Sequence, residues 1–158
     1  MTEVEPRFRP MNGKAIHLVE KFWALMATND FRLVGSLLAD DFVLDWPQSG
    51  ERIRGRDNYA AMNEQYPTTT GRWSFAINRL VGNDDEAVSD VSVTDDLQHA
   101  RAISFFAIRD GKIVRIIEFW PEPLRLWRIE STWSSKVIYS WKEYSRSFHE
   151  AGYKTHHS

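Results

Sequence analysis

The sequence predicts an α+β fold in which helices cover one face of a largely antiparallel sheet. Apolar residues recur at helical spacing through the first part of the chain, then alternate strictly after Gly71. Tight-turn sequences, chief among them Asp110-Gly111, punctuate the alternating half. Helices gathered ahead of a run of strands give a layered fold, with the helices packed on the sheet.

Each element has its own signal. From Lys14 to about Thr28, residues Ile16, Val19, Phe22, Trp23 and Met26 form one broad apolar face, and Asn29-Asp30 stops the helix. A second helix is expected from Phe31 to Ala39, with Phe31, Val34, Leu37 and Leu38 on one side and Asp40-Asp41 at its end. Phe42 to Trp46 reads as a short strand closed by Pro47, and Gln48 to Gly55 as a polar loop. Arg56 to Tyr66 reads as a third helix, with Asp57 favourable near its start and Pro67 beyond its end.

Trp73, Phe75 and Ile77 begin the alternation, and Gly82 to Asp85 forms a turn. Ala87 to Thr94 places Val91 and Val93 on one face, with Val88, Asp90 and Ser92 on the other. Ala100 to Arg109 and Ile113 to Trp120 complete a four-strand meander that Pro121 and Pro123 terminate. Val137, Ile138, Trp141, Tyr144 and Phe148 fit a further helix from Ser135 to Ala151. The expected organisation is a flexible segment over 1–12, one domain over 13–123 and a partly helical extension over 124–158.

Composition narrows the function. A length of 158 residues suits one domain with a substantial core, and a net charge of −2 creates no field for nucleic acid. No apolar run approaches the roughly 20 residues that cross a bilayer, so neither a membrane nor nucleic acid is expected as a partner. The absence of cysteine excludes disulfides and thiolate chemistry, and a cytoplasmic location is expected. Aromatic residues reach 13%, with 7 Trp, enough to line a pocket, a core or an interface.

Three stretches carry a resemblance. They are Leu37-Leu38-Ala39-Asp40-Asp41-Phe42 with Asp45-Trp46-Pro47, then Gly50 to Tyr59, then Phe105 to Pro123 with Glu118-Phe119-Trp120-Pro121. In this order they resemble the nuclear transport factor 2-like superfamily, in its SnoaL-like, polyketide cyclase-related branch. The resemblance implies a cone-shaped, curved antiparallel sheet wrapped around helices, with a pocket for a small apolar or aromatic molecule. That superfamily holds isomerases, epoxide hydrolases, dehydratases, cyclases and non-catalytic binding proteins, so the fold does not settle function.

The residues of the known mechanisms match poorly. Where ketosteroid isomerases place their aspartate base, this chain has Trp46, with Asp45 one residue earlier and on the opposite strand face. Phe22 stands for their tyrosine and Ser104 for their protonated aspartate. Asp90, Arg101 and Glu118 imitate the epoxide hydrolase array only loosely, because Arg101 has the wrong strand parity if Ser104 faces inward.

Strand parity then proposes a site. If Trp120 faces the pocket, as the resemblance to the isomerases of this superfamily implies, Glu118 and Ile116 face it too, and an inward Ser104 brings Ala102 and Phe106. On the preceding strand Asp90 is expected inward with Val88 and Ser92. Asp90 and Glu118 are thus the candidate acid/base pair, one of them raised in pKa by desolvation and repulsion. On the other reading each pairs with an arginine: Asp90 with Arg79 or Arg101, and Glu118 with Arg115 or Lys112.

Phe22, Trp46, Gln48, Tyr66, Ser104, Phe106 and Trp120 are the expected substrate contacts, and no metal or other cofactor is expected. Three function classes follow. One is a cofactor-free isomerase, cyclase or dehydratase, and another is a non-catalytic carrier. The third is a homodimeric interaction module whose outer sheet face carries Ile103, Phe105, Ile117 and Phe119.

Overall fold

The computed structural model describes residues 13–121. The expected flexible segment over 1–12 and the extension with its helix from 135 to 151 lie outside the described residues. Within them, helix α1 spans Lys14–Met26 and buries Ala15, Ile16, Val19, Phe22, Trp23 and Met26, the face read from its spacing. Its start is fixed by close approach: a Cβ on Gly13 would lie 2.0 Å from the Asn83 carbonyl oxygen. That same oxygen accepts the Ala15 N–H at 3.2 Å, tying the helix to a sheet turn. At the other end Asn29 takes a positive φ of 61°. Its side chain pairs with both backbone groups of Trp73, accepting from the N–H and donating to the carbonyl at 2.7 Å each.

Helix α2 covers only Phe31–Val34 and passes through a 3₁₀ turn at Gly35–Leu37 into strand β1, Leu38–Trp46. The helix expected to reach Ala39 therefore ends early. Leu38 pairs instead with Ile113, and ladder bonding outcompetes the weak helix formers Gly35 and Ser36. Strand β2, Glu51–Arg54, occupies part of the expected polar loop and pairs antiparallel with β1. Helix α3, Arg56–Gln65, follows with Asp57 in its first turn.

The meander runs through β3 (Ser74–Gly82), β4 (Glu86–Thr94), β5 (His99–Arg109) and β6 (Lys112–Phe119). Asp110 and Gly111 both hold positive φ, 52° and 72°, as a tight primed hairpin turn requires. Strand order is β2-β1-β6-β5-β4-β3, with β1 and β6 parallel and every other pair antiparallel. The sheet is thus mixed rather than wholly antiparallel. It stays unclosed between β2 and β3, and register shifts in three of its pairings bend it.

Helices and sheet enclose a core of interlocking rings. Phe22 meets Trp23 at 5.0 Å and Phe106 at 5.2 Å, Phe42 meets Tyr59 at 5.5 Å, and Trp23 meets Phe75 at 5.6 Å. Each such ring fully buried contributes roughly 1.5–3 kcal/mol by leaving water. The deep part of the roll is therefore filled by side chains.

The opposite face of the sheet carries charge pairs around an apolar centre. Asp45 accepts from Arg52 on β2 and from Arg115 on β6. Ile103, Phe105, Ile117 and Phe119 point to this face, with Phe105 and Phe119 edge-on at 6.1 Å and Phe105 exposed.

Candidate functional site

Glu118, near the end of β6, is 7% exposed and carries the only buried carboxylate on the helix-covered face among the described strands. Register sets its neighbours. Ser104 lies directly opposite it on β5, and Ser89 lies opposite Ser104 on β4. Ser104 Oγ donates to Glu118 Oε2 at 2.8 Å. Trp46, at the end of β1, donates its indole N–H to Oε1 at 3.1 Å, and Trp120, just after β6, donates to the same oxygen at 3.0 Å. Indole and amide-type N–H groups only donate, so Oε1 serves both rings as a pure acceptor. Burial raises the carboxyl above the ordinary glutamate range, opposed by the bonds from Ser104, Trp46 and Trp120.

The two indoles form part of the wall of a cavity of about 170 Å³. Its other aromatic lining is Phe31, Tyr66, Trp73 and Phe75, with Met62 and Val93 between them. Asn63, Gln98 and His99 supply polar groups, and among the described residues no Asp, Glu, Lys or Arg lines it. Glu118 stands behind the indoles rather than in the lining. The size is below the roughly 300–1,000 Å³ of drug-sized sites and near the ~150 Å³ that accommodates benzene.

The rim is built by a buried carboxylate. Asp95 is 1% exposed and accepts the Thr69 N–H at 2.6 Å and the Gln98 N–H at 2.7 Å, with further bonds from Leu97 and the Gln98 side chain. These bonds, the Gln98 and Thr69 N–H groups first, hold its pKa far below the usual aspartate value. They pin the loop before β3 to the β4–β5 turn, which places Gln98 and His99 at the cavity.

The expected site residues separate into three groups. Trp46, Tyr66 and Trp120 line the cavity. Gln48 does not; its amide brackets the Trp120 backbone, accepting the N–H at 2.7 Å and donating to the carbonyl. Phe22 and Phe106 belong to the filled core, and Ser104 serves the Glu118 carboxylate.

Asp90 is a correction. It was expected beside Glu118, but β4 buries Ala87, Ser89, Val91 and Val93, and Asp90 faces the other way. Ser89 takes the inward place, accepting the Trp23 indole N–H at 3.0 Å. Asp90 pairs instead with the Arg101 guanidinium on the outer face, which holds its pKa down. Among the described residues, Asp90 and Glu118 therefore form no carboxylate pair in the interior. Glu118, for its part, contacts neither Arg115 nor Lys112, because both belong to other positions of β6: Arg115 is committed to Asp45.

Sequence reading missed Phe31, Met62, Asn63, Trp73, Phe75, Gln98 and His99 as lining residues. The alternation of Trp73 and Phe75 was a signal for one shared face, but it did not say which neighbours that face would meet.

A curved, open six-stranded sheet with helices on one face and an aromatic cavity at one end defines a nuclear transport factor 2-like α+β roll. The chain belongs to the SnoaL-like domain family, whose model matches residues 19–116. Two solved structures at 27% identity share the fold over 77% of this chain. One is a candidate ketosteroid isomerase from Kribbella flavida, covered over 92% of its length with a TM-score of 0.64. The other is a nuclear transport factor 2-like protein of unknown function from Burkholderia xenovorans, covered over 94% with a TM-score of 0.65. A candidate SnoaL-like polyketide cyclase from Jannaschia matches in fold alone, at 14% identity over 73% of this chain and 90% of its own, with a TM-score of 0.60. Comparison with curated protein sequences returns no match.

Proposed function

We propose that the chain binds a small, largely apolar molecule in the aromatic cavity and that Glu118 holds the cavity wall in place. The observation that carries this is the pairing of two lining indoles, Trp46 and Trp120, on one buried carboxylate oxygen. A wall fixed in this way is preorganised, so little ordering entropy opposes binding. The filled interior, with Phe22 and Phe106 packed in contact, supports a ligand seated in this cavity instead of deep in the roll.

A second reading is favoured by the raised pKa of Glu118, which suits a general acid/base in an isomerase, cyclase or dehydratase. Against it stand the three donors that already occupy the carboxylate and the outward placement of Asp90. The readings separate on one variant. In a carrier, Glu118→Gln weakens binding through the indoles; in an enzyme it abolishes turnover of a bound compound while leaving affinity nearly intact.

The test uses 2-naphthol as an apolar probe, followed by quenching of indole fluorescence. Saturable binding that Trp120→Ala weakens at least about tenfold supports the cavity reading. Absence of saturable binding, or binding indifferent to both Trp120→Ala and Trp73→Ala, overturns it. Mass spectrometry of molecules released from the purified protein then names the natural ligand.

A further inference from the structure

We infer that the ligand carries a soft positive charge: a small alkylated ammonium group, seated among Trp46, Trp73, Trp120, Tyr66 and Phe75 and backed by the Glu118 carboxylate. This deepens the cavity reading and rests on it.

Three observations select a cation over an anion or a neutral hydrocarbon. First, the wall is unusually rich in π surface, with three tryptophans, a tyrosine and two phenylalanines around about 170 Å³. Aromatic faces carry the negative end of a quadrupole and attract cations, tryptophan most strongly. Second, both indole N–H groups nearest Glu118 are spent on its Oε1, at 3.1 and 3.0 Å. An anion entering beside Glu118 therefore finds neither of these two indoles free to donate to it. Donation to a carboxylate also polarises each indole, pushing electron density towards the ring that meets the ligand. Third, among the described residues the lining contains no lysine or arginine, and the buried group behind the two indoles is the Glu118 carboxylate.

Chemistry then limits the cation. A primary ammonium is strongly hydrated and needs hydrogen-bond acceptors, of which the wall has few. A quaternary or heavily alkylated ammonium spreads its charge over methyl groups and loses little hydration on entering an aromatic site. Its apolar exterior also accords with Met62 and Val93 in the lining. A hydroxyl or carbonyl on the same molecule would meet Asn63, Gln98 or His99 at the rim.

Choline and its uncharged isostere 3,3-dimethylbutan-1-ol have nearly the same shape and differ in charge, so calorimetric titration of both isolates the charge term. The titrations are run at about pH 8, where imidazole is ordinarily neutral. Choline is expected to bind the wild-type chain roughly 3- to 30-fold more tightly than the isostere. In Glu118→Gln the ratio is expected to fall towards one, a readout that general loss of stability would not produce, since it weakens both probes alike. Equal or tighter binding of the isostere to the wild type overturns the inference, as does an undiminished ratio in Glu118→Gln. If neither probe binds while 2-naphthol does, the inference falls and the cavity reading stands. If 2-naphthol also fails, both fall. Should Glu118→Gln not fold, the wild-type ratio decides alone.

Discussion

Trp46 and Glu118, 72 residues apart in sequence, meet in a 3.1 Å hydrogen bond that joins the end of β1 to the end of β6. These strands are parallel neighbours, so their C-terminal ends lie side by side at the same end of the sheet. One carboxylate thereby closes the wall of a cavity that neither strand could form alone.

Replacing Glu118 by Leu should destabilise the chain by about 2 kcal/mol, because the donors of Ser104, Trp46 and Trp120 lose their acceptor inside the protein. Glu118→Gln, which keeps an acceptor oxygen, should cost less. Urea unfolding of the two variants beside the wild type measures both. Equal stability of Glu118→Leu and wild type would show that the three bonds contribute nothing net.

Phe22→Ala should cost about 3–5 kcal/mol, since Phe22 is fully buried among Trp23, Tyr59 and Phe106. The loss belongs to the core and not to ligand contact. A chemical-denaturation midpoint that scarcely moves would contradict the filled interior.

The Asp90–Arg101 pair predicts the opposite outcome. Arg101→Ala should change stability by less than about 1 kcal/mol, because its side chain is 58% exposed and the pair lies in high dielectric. Affinity for 2-naphthol should stay within twofold of wild type, as roughly expected for a site on the far face of the sheet. A large loss of binding in Arg101→Ala would return Asp90 to the site.

Acid should act on two kinds of carboxylate with opposite sign. Asp95 and Asp45 have lowered pKa values in the folded state, by backbone donors and by Arg52 with Arg115. Their stabilisation is complete above the ordinary value of 3.8 and is lost as pH falls below it. Glu118 is raised by burial, so its ionisation costs stability above its folded pKa, and protonation relieves that cost as pH falls towards the ordinary 4.5. Asp95→Asn should therefore flatten the acid loss of stability, whereas Glu118→Gln should steepen the net decline by removing the compensating gain. Urea midpoints measured from about pH 7 down to about pH 3 read both slopes. Parallel slopes for wild type and Asp95→Asn would refute the role given to Asp95.

Much of this protein follows from local rules. The 3.6-residue spacing of Ile16, Val19, Phe22, Trp23 and Met26 fixes the buried face of α1, and Asp110-Gly111 fixes the last hairpin. Alternation on β5 and β6 correctly puts Ser104, Phe106 and Glu118 inside and Phe105 and Phe119 outside, because a pleated strand leaves only two choices. The resemblance to the SnoaL-like family rests on Leu37 to Phe42 with Asp45 to Pro47, on Gly50 to Tyr59 and on Phe105 to Pro123, and on their order.

Alternation cannot say which of its two faces is inner when both carry small or polar groups. On β4 the choice between Ser89 and Asp90 was made by register, which sets Ser89 opposite Ser104, and by the Trp23 indole that needed an acceptor. Strand β2 was invisible for a related reason: Glu51-Arg52-Ile53-Arg54 has little apolar pattern, and its extended form comes from pairing with β1. The cavity is the clearest case, since its wall joins residues from Phe31 to Trp120 and its rim depends on the bonds of Asp95. Local sequence determines the conformation and the two faces of each segment. Which side chains share a space is decided by strand order and register, because those contacts bridge residues that no short-range pattern connects.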